Sequence, residues 1–187
     1  MLFYQQIMIF LMVLDMTIIH LNSQAAKPVD YRKIEQQILF RSQAEAAANN
    51  AGYSGVIEPE EAWKLFTSGI AHLVDIRRKQ DRYQYGHVPN TFHVQWSDES
   101  EASETFAQRL LEKLSRDSFI MLLNCQGRHD EAELAARTAT EEGFAHVFVV
   151  RAGYEDQPYT HVIRTNVVCN EERGWRARGL PWVAGQE

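Results

Sequence analysis

Two five-residue runs, apolar almost throughout and separated by one helical segment, constrain this chain most. They are Phe119-Ile120-Met121-Leu122-Leu123 and His146-Val147-Phe148-Val149-Val150. Between them, Glu131 to Glu142 reads as a helix stopped by Gly143. A strand that is apolar on both faces must be covered on both faces, and single-helix crossovers join parallel strands. The chain is therefore expected to be α/β, a doubly wound parallel sheet flanked by helices on both faces. Val56-Ile57, His72 to Ile76 and Thr91 to Val94 supply the remaining strands, and Phe119–Leu123 is expected at the centre. Glu58-Pro59-Glu60-Glu61 opens a helix, with Pro59 suited to the first turn and acids favourable at the dipole. Glu101 to Ser115 reads as an amphipathic helix, and Glu171 to Arg178 as a short final one.

The chain has 187 residues, with 25 acidic and 19 basic side chains and a net charge of −6. That size suits one domain with a little left over. The acidity argues against a protein whose main partner is nucleic acid. Residues 1–25 hold the apolar run Ile7–Leu14, then Asn22-Ser23-Gln24-Ala25. Small residues at Ser23 and Ala25 fit a cleavage site, so 1–25 reads as a signal peptide and the protein as periplasmic or secreted. Membrane attachment is expected only if that signal stays uncleaved. Residues 26–52 read as a helical N-terminal extension and 53–187 as the domain.

Open α/β sheets bind ligands beyond the carboxyl ends of their strands. Cys125 lies there, one residue after the central strand. The segment Cys125-Gln126-Gly127-Arg128-His129-Asp130-Glu131 then leads into a helix. Backbone N–H groups of such a loop, with the helix N-terminus, stabilise an anion on sulfur and lower a thiol pKa. Arg128 and His129 add positive charge. The alternative is a small buried hydrophobe, the ordinary role of a free cysteine. Asp130 with Glu133 fits a capping box for the following helix. The histidines are too dispersed for a metal site, and no cofactor-binding motif is present.

Four segments, in order, resemble the rhodanese-like sulfurtransferases. Leu73-Val74-Asp75-Ile76-Arg77 with Gly86-His87-Val88-Pro89-Asn90 is similar to the family's "D-x-R … G-H-I-P-G" signature, and Asp81 stands near a usual acidic position. Leu122-Leu123-Asn124-Cys125 resembles the active-site segment, and Gly143-Phe144 through Arg151-Ala152-Gly153-Tyr154 the "G-F-x-x-V … G-G" strand. Gly174-Trp175-Arg176 to Gly179-Leu180-Pro181-Trp182 resembles the ending of a bacterial single-domain subgroup.

The resemblance implies a thiosulfate sulfurtransferase-like enzyme without cofactor. Cys125 would attack the outer sulfur of a small sulfur-containing anion and carry it as a persulfide to a thiol or cyanide-like acceptor, a protein among the candidates. The loop from Gln126 to Glu131 would cradle the sulfur, with Arg77 as an outside anion contact. Asp75, Gly86, His87 and Pro89 would be scaffold. Apart from the resemblance, Trp175 and Trp182 read by residue type as closing the core from the C-terminus, with Arg176 and Arg178 on a solvated face. The loop departs from the family's C-x-x-G-x-R: Asp130 stands five residues after Cys125, where Arg is usual. Arg128 is the candidate substitute. Without a closing forked Arg, phosphatase chemistry on a dianion is disfavoured. Asn90-Thr91 replaces the usual Gly-Ala, and Ala152-Gly153 the usual Gly-Gly. The altered loop keeps a low-turnover sulfur carrier or partner-binding module open as an alternative. Cys169 stays open between a buried bystander, a resolving or disulfide-bonded partner of Cys125 in a redox protein, and an exposed thiol.

Overall fold

The computed structural model describes residues 31–96, 102–125, 128–154 and 173–185. The predicted signal peptide and Cys169 lie outside them, as do Gln126 and Gly127. The chain divides into two units, Met1–Ile34 and Glu35–Glu187, and the second contains the whole sheet. No helix among the described residues is long and apolar enough to cross a membrane.

Five strands form one parallel sheet. They are β1 (Gly55–Ile57), β2 (His72–Asp75), β3 (Phe92–His93), β4 (Phe119–Leu123) and β5 (His146–Val150), in the order β1-β5-β4-β2-β3. The most apolar strand is central, as its composition requires, and Ile120 to Leu123 are fully buried. Side chains alternate along each strand. Val74, Ile76, Ile120, Leu122, Val147 and Val149 share one apolar cluster with helices α4 (Ala102–Leu111) and α5 (His129–Glu141). Phe106 and Leu110 contribute from the first helix, and Ala132, Ala135, Ala136 and Ala139 from the second. The small alanine stripe lets α5 lie close against the sheet.

Helix α2 (Pro59–Thr67) carries Pro59 in its first turn, and the Glu58 backbone N–H donates to Glu61. Its Ala62 and Leu65 are fully buried, and Gly69 takes φ +73° just after its end. Helix α1 (Tyr31–Ala48) reaches β1 through Ser42, whose hydroxyl donates to the Val56 carbonyl at 2.9 Å. A Cβ on Gly55 would lie 2.3 Å from the Ser42 carbonyl oxygen, and Gly55 has φ +124°, so only glycine fits.

Four expectations are corrected. An additional helix, α3 (Lys79–Tyr85), stands where none was predicted. It buries no residue, so its sequence carries no apolar period to reveal it. Where a final helix was predicted, residues 175–179 form turns. They seat Trp175, fully buried and edge-on to Trp63 at 6.0 Å. Trp182 does not close the core: it is 42% exposed and lies under the Arg176 guanidinium at 4.0 Å. Nor does Arg178 point to solvent, because it bonds Glu58 at 3.0 Å and Glu60 at 2.7 Å.

Candidate functional site

The carboxyl end of β4 presents Cys125. Asn124, the residue between, is buried and clamps the turn with its side chain. Its Oδ1 accepts from the Cys125 backbone N–H at 2.8 Å, and its Nδ2 donates to the Arg128 carbonyl at 3.1 Å. The Arg128 N–H donates to the Cys125 carbonyl at 3.3 Å, and Arg128 is the N-cap residue of α5. Cys125 therefore sits where strand becomes helix, at the positive end of the α5 dipole.

The segment after β5 supports this turn from beneath. The Tyr154 N–H donates to the Asn124 carbonyl at 2.9 Å. A Cβ on Gly153 would meet the Asn124 carbonyl oxygen at 2.6 Å and the Cys125 carbonyl carbon and oxygen at 2.7 Å. Close backbone approach thus demands glycine at 153.

The thiol is half-buried and opens on a cavity of about 200 Å³. Asp81 reaches it from α3: the Cys125 Sγ–H donates to Asp81 Oδ2 at 3.7 Å. Arg78 Nε holds the same carboxylate at 3.1 Å. On the opposite wall Arg128 Nη1 contacts both oxygens of Glu131, at 3.0 and 3.2 Å.

Arg77 lies deeper. Its guanidinium grips Asp75 twice, at 2.9 and 2.7 Å, and donates to the Gly86 carbonyl at 2.9 Å. It also stacks 3.6 Å from the Tyr154 ring centroid. Burial opposes its charge, but Asp75, Cys125 and Tyr154 outweigh that and raise its pKa. Burial also pushes the Tyr154 phenol up to about 12, so it is neutral near pH 7. Arg82 adds a second cation 3.6 Å from Asp75, and burial, then Arg77, lowers its pKa.

A sequence profile of the rhodanese-like domain matches residues 58–156, 99 of the 187 residues. The chain belongs to the rhodanese-like domain family. The described part of that match runs from the cap of α2 to Tyr154, and so contains the Cys125 turn and the Arg77 brace. Among curated proteins, the chain is 26% identical over 125 residues to thiosulfate sulfurtransferase GlpE of Actinobacillus pleuropneumoniae, covering 67% of this chain and 89% of that one. Among solved structures it is similar to the polysulfide-sulfur transferase homodimer of Wolinella succinogenes, at 19% identity and TM-score 0.49, covering 76% and 86% of the two chains. It is also similar to the Alr3790 protein of Anabaena sp., at 15% identity and TM-score 0.47, covering 68% and 90%.

Within this rhodanese-like frame the predicted site residues separate into groups. Cys125, Arg77, Arg128 and Glu131 line one cavity. His129 and Asp130 are exposed in the first turn of α5, and His129 contacts Glu133 at 3.3 Å. The predicted Asp130–Glu133 capping box does not form, because the helix starts at His129 and Asp130 already lies inside it. Glu133 instead accepts from the Tyr53 hydroxyl at 2.9 Å and from Arg137 at 3.0 Å. Asp75, Gly86, His87 and Pro89 sit in or beside the brace. The backbone of His87 exchanges hydrogen bonds with Val183 in an antiparallel bridge, and Gly86 has φ +83°. No group of three potential metal ligands occurs among the described residues.

Asn124, Asp81 and Arg78 line the same cavity and were absent from the predicted set. For Asp81 the family's usual acid near this position was the available signal. The two departures at glycine positions prove conformational. Asn90 has φ +61° and Ala152 φ +59°, so both non-glycine residues hold left-handed backbone. Asn tolerates it and Ala is strained there.

Proposed function

We propose that the protein is a sulfurtransferase that moves sulfane sulfur from a donor, thiosulfate or a chemically related compound, to a thiophilic acceptor through a persulfide on Cys125. The observation that carries this reading is the placement of Cys125: half-buried, at the end of the central strand, with its turn feeding the N-terminus of α5. The similarity to thiosulfate sulfurtransferases supports it. In the first half-reaction Cys125 Sγ gives up its proton and attacks the donor's outer sulfur, and the remainder leaves with the bonding electron pair. In the second, the acceptor attacks the terminal sulfur and Cys125 returns to its starting state. The positive end of the α5 dipole favours negative charge developing on sulfur in both half-reactions.

Intact-mass spectrometry after incubation with sulfane donors tests it. Cys125 gains about 32 Da, one sulfur atom, and cyanide then removes that mass as thiocyanate. Cys125→Ser neither gains the mass nor forms thiocyanate; equal activity in both proteins excludes Cys125 as the carrier.

A second reading, a carrier that holds the persulfide with little turnover, draws on the bonding of Arg128 to Glu131 within the loop. A persulfide that persists in cyanide favours it. We further propose that the chain is exported and loses residues 1–25. The mass of the mature protein tests this, and retention of Met1 overturns cleavage.

A further inference from the structure

Three arginines surround the cavity at Cys125, and each one bonds a carboxylate. Arg77 holds Asp75, Arg78 holds Asp81, and Arg128 holds Glu131. These six side chains sum to no net charge. Asp81 and Glu131 both line the cavity of about 200 Å³, so a dianionic donor that reaches its arginines meets two carboxylates of its own sign. Asp81 adds a second constraint, because its Oδ2 accepts the Cys125 thiol proton at 3.7 Å. A carboxylate there disfavours a standing thiolate and favours a reaction in which a proton leaves Cys125 and is returned at once to the leaving group. Sulfite, the group that leaves thiosulfate, has little use for that proton. A departing alkyl thiolate is basic and does require it.

We infer that the preferred sulfur donor is an organic persulfide, R–S–S–H, and that Asp81 is a catalytic residue that carries the proton from Cys125 to the departing thiol. This rests on the persulfide reading above. The exchange balances without an added oxidant or reductant. Asp81 takes the proton of the Cys125 thiol as Sγ attacks the outer sulfur of R–S–S–H. A bond forms between Sγ and that sulfur, and the bond between the donor's two sulfurs breaks. The inner sulfur leaves as R–S⁻ with the electron pair and takes the proton from Asp81. The net change is Cys125–SH plus R–S–S–H giving Cys125–S–S–H plus R–SH.

The test compares rates of mass gain on Cys125 with 2-hydroxyethyl persulfide and with thiosulfate, in the wild type, Asp81→Asn and Glu131→Gln. The wild type is expected to load from the persulfide at least about tenfold faster. Asp81→Asn is expected to slow persulfide loading about tenfold and to speed thiosulfate loading, reversing or erasing the preference. Glu131→Gln releases Arg128 and raises thiosulfate loading alone. Circular dichroism checks that each variant is folded, and Glu131→Gln keeps the charge argument testable if Asp81→Asn is not. Equal loading of the wild type from both donors overturns the donor class and leaves the persulfide reading standing. An equal slowing of both donors in Asp81→Asn overturns the proton-carrying role. No loading from either donor overturns both.

Discussion

The brace beneath the site and the rim around it are built from the same chemistry at opposite depths. In the brace, Arg77 and Asp75 have side chains 0% exposed and meet at 2.7 Å. At the rim, Arg78 is 54% exposed against Asp81, and Arg128 and Glu131 are 43% and 40% exposed. A buried pair cannot lose one partner without leaving an unpaired charge in a low dielectric, which costs about 3–5 kcal/mol. An exposed pair contributes about 0–1 kcal/mol. The brace is therefore part of the fold, joining β2, the Gly86 turn and Tyr154, whereas the rim pairs can be exchanged with little structural cost. The difference separates what holds Cys125 in place from what selects its reaction partners.

Arg77→Leu is the most severe way to probe that contrast. It strands Asp75, Arg82 is the only other described cation bonded to it, and unfolding free energy should drop by about 3–5 kcal/mol in denaturant titration. A loss below about 1 kcal/mol would reduce the brace to the standing of a rim pair. Gly153→Ala comes next. Its Cβ meets backbone of Asn124 and Cys125, and φ is +67°. A destabilisation of about 1–3 kcal/mol is expected, with slower loading of Cys125, which a remote core defect would not produce. Ala152→Gly works in the other direction. It relieves φ +59° one residue away and should stabilise by about 1 kcal/mol, seen as a higher melting temperature with unchanged donor preference. Arg128→Gln should alter stability by under about 1 kcal/mol while changing the ratio of donor rates.

The smallest effect concerns pH. Burial, with Arg82 nearby, holds His87 and His93 below the ordinary histidine range, and His93 Nε2 bonds the Arg77 carbonyl at 2.8 Å. Both are neutral in the fold, whereas the unfolded chain takes up protons near pH 6.5. Their contribution is whole above about pH 6.5 and is lost as pH falls through the lower folded values. The denaturation midpoint should decline on acidification from pH 7.5 to 5, and His93→Gln should flatten that decline. An unchanged slope would detach His93 from the brace.

The sheet, its central strand and the place of Cys125 were legible because long apolar runs and their spacing are local signals. What escaped depends on partners distant in sequence. Lys79–Tyr85 has no apolar period, so the helix that delivers Asp81 to Cys125 was invisible as a helix. Glu133 read as a local cap, yet Tyr53, 80 residues earlier, bonds it. Trp182 read as core on its residue type alone, and the short distance between Gly86 and the Val183 backbone holds it at the surface instead.

The Ser42 contact on β1 has a consequence for how copies of this protein behave in concentrated solution. The Ile57 carbonyl accepts from Arg151 on the β5 side, so the preceding Val56 carbonyl points the other way, where Ser42 takes it. An unpaired outer strand is a template for strand addition from another molecule. Here a helix occupies the free side of β1, and the opposite margin is a strand of only two residues. Among the described residues, neither margin of the sheet offers a length of bare backbone to a neighbour.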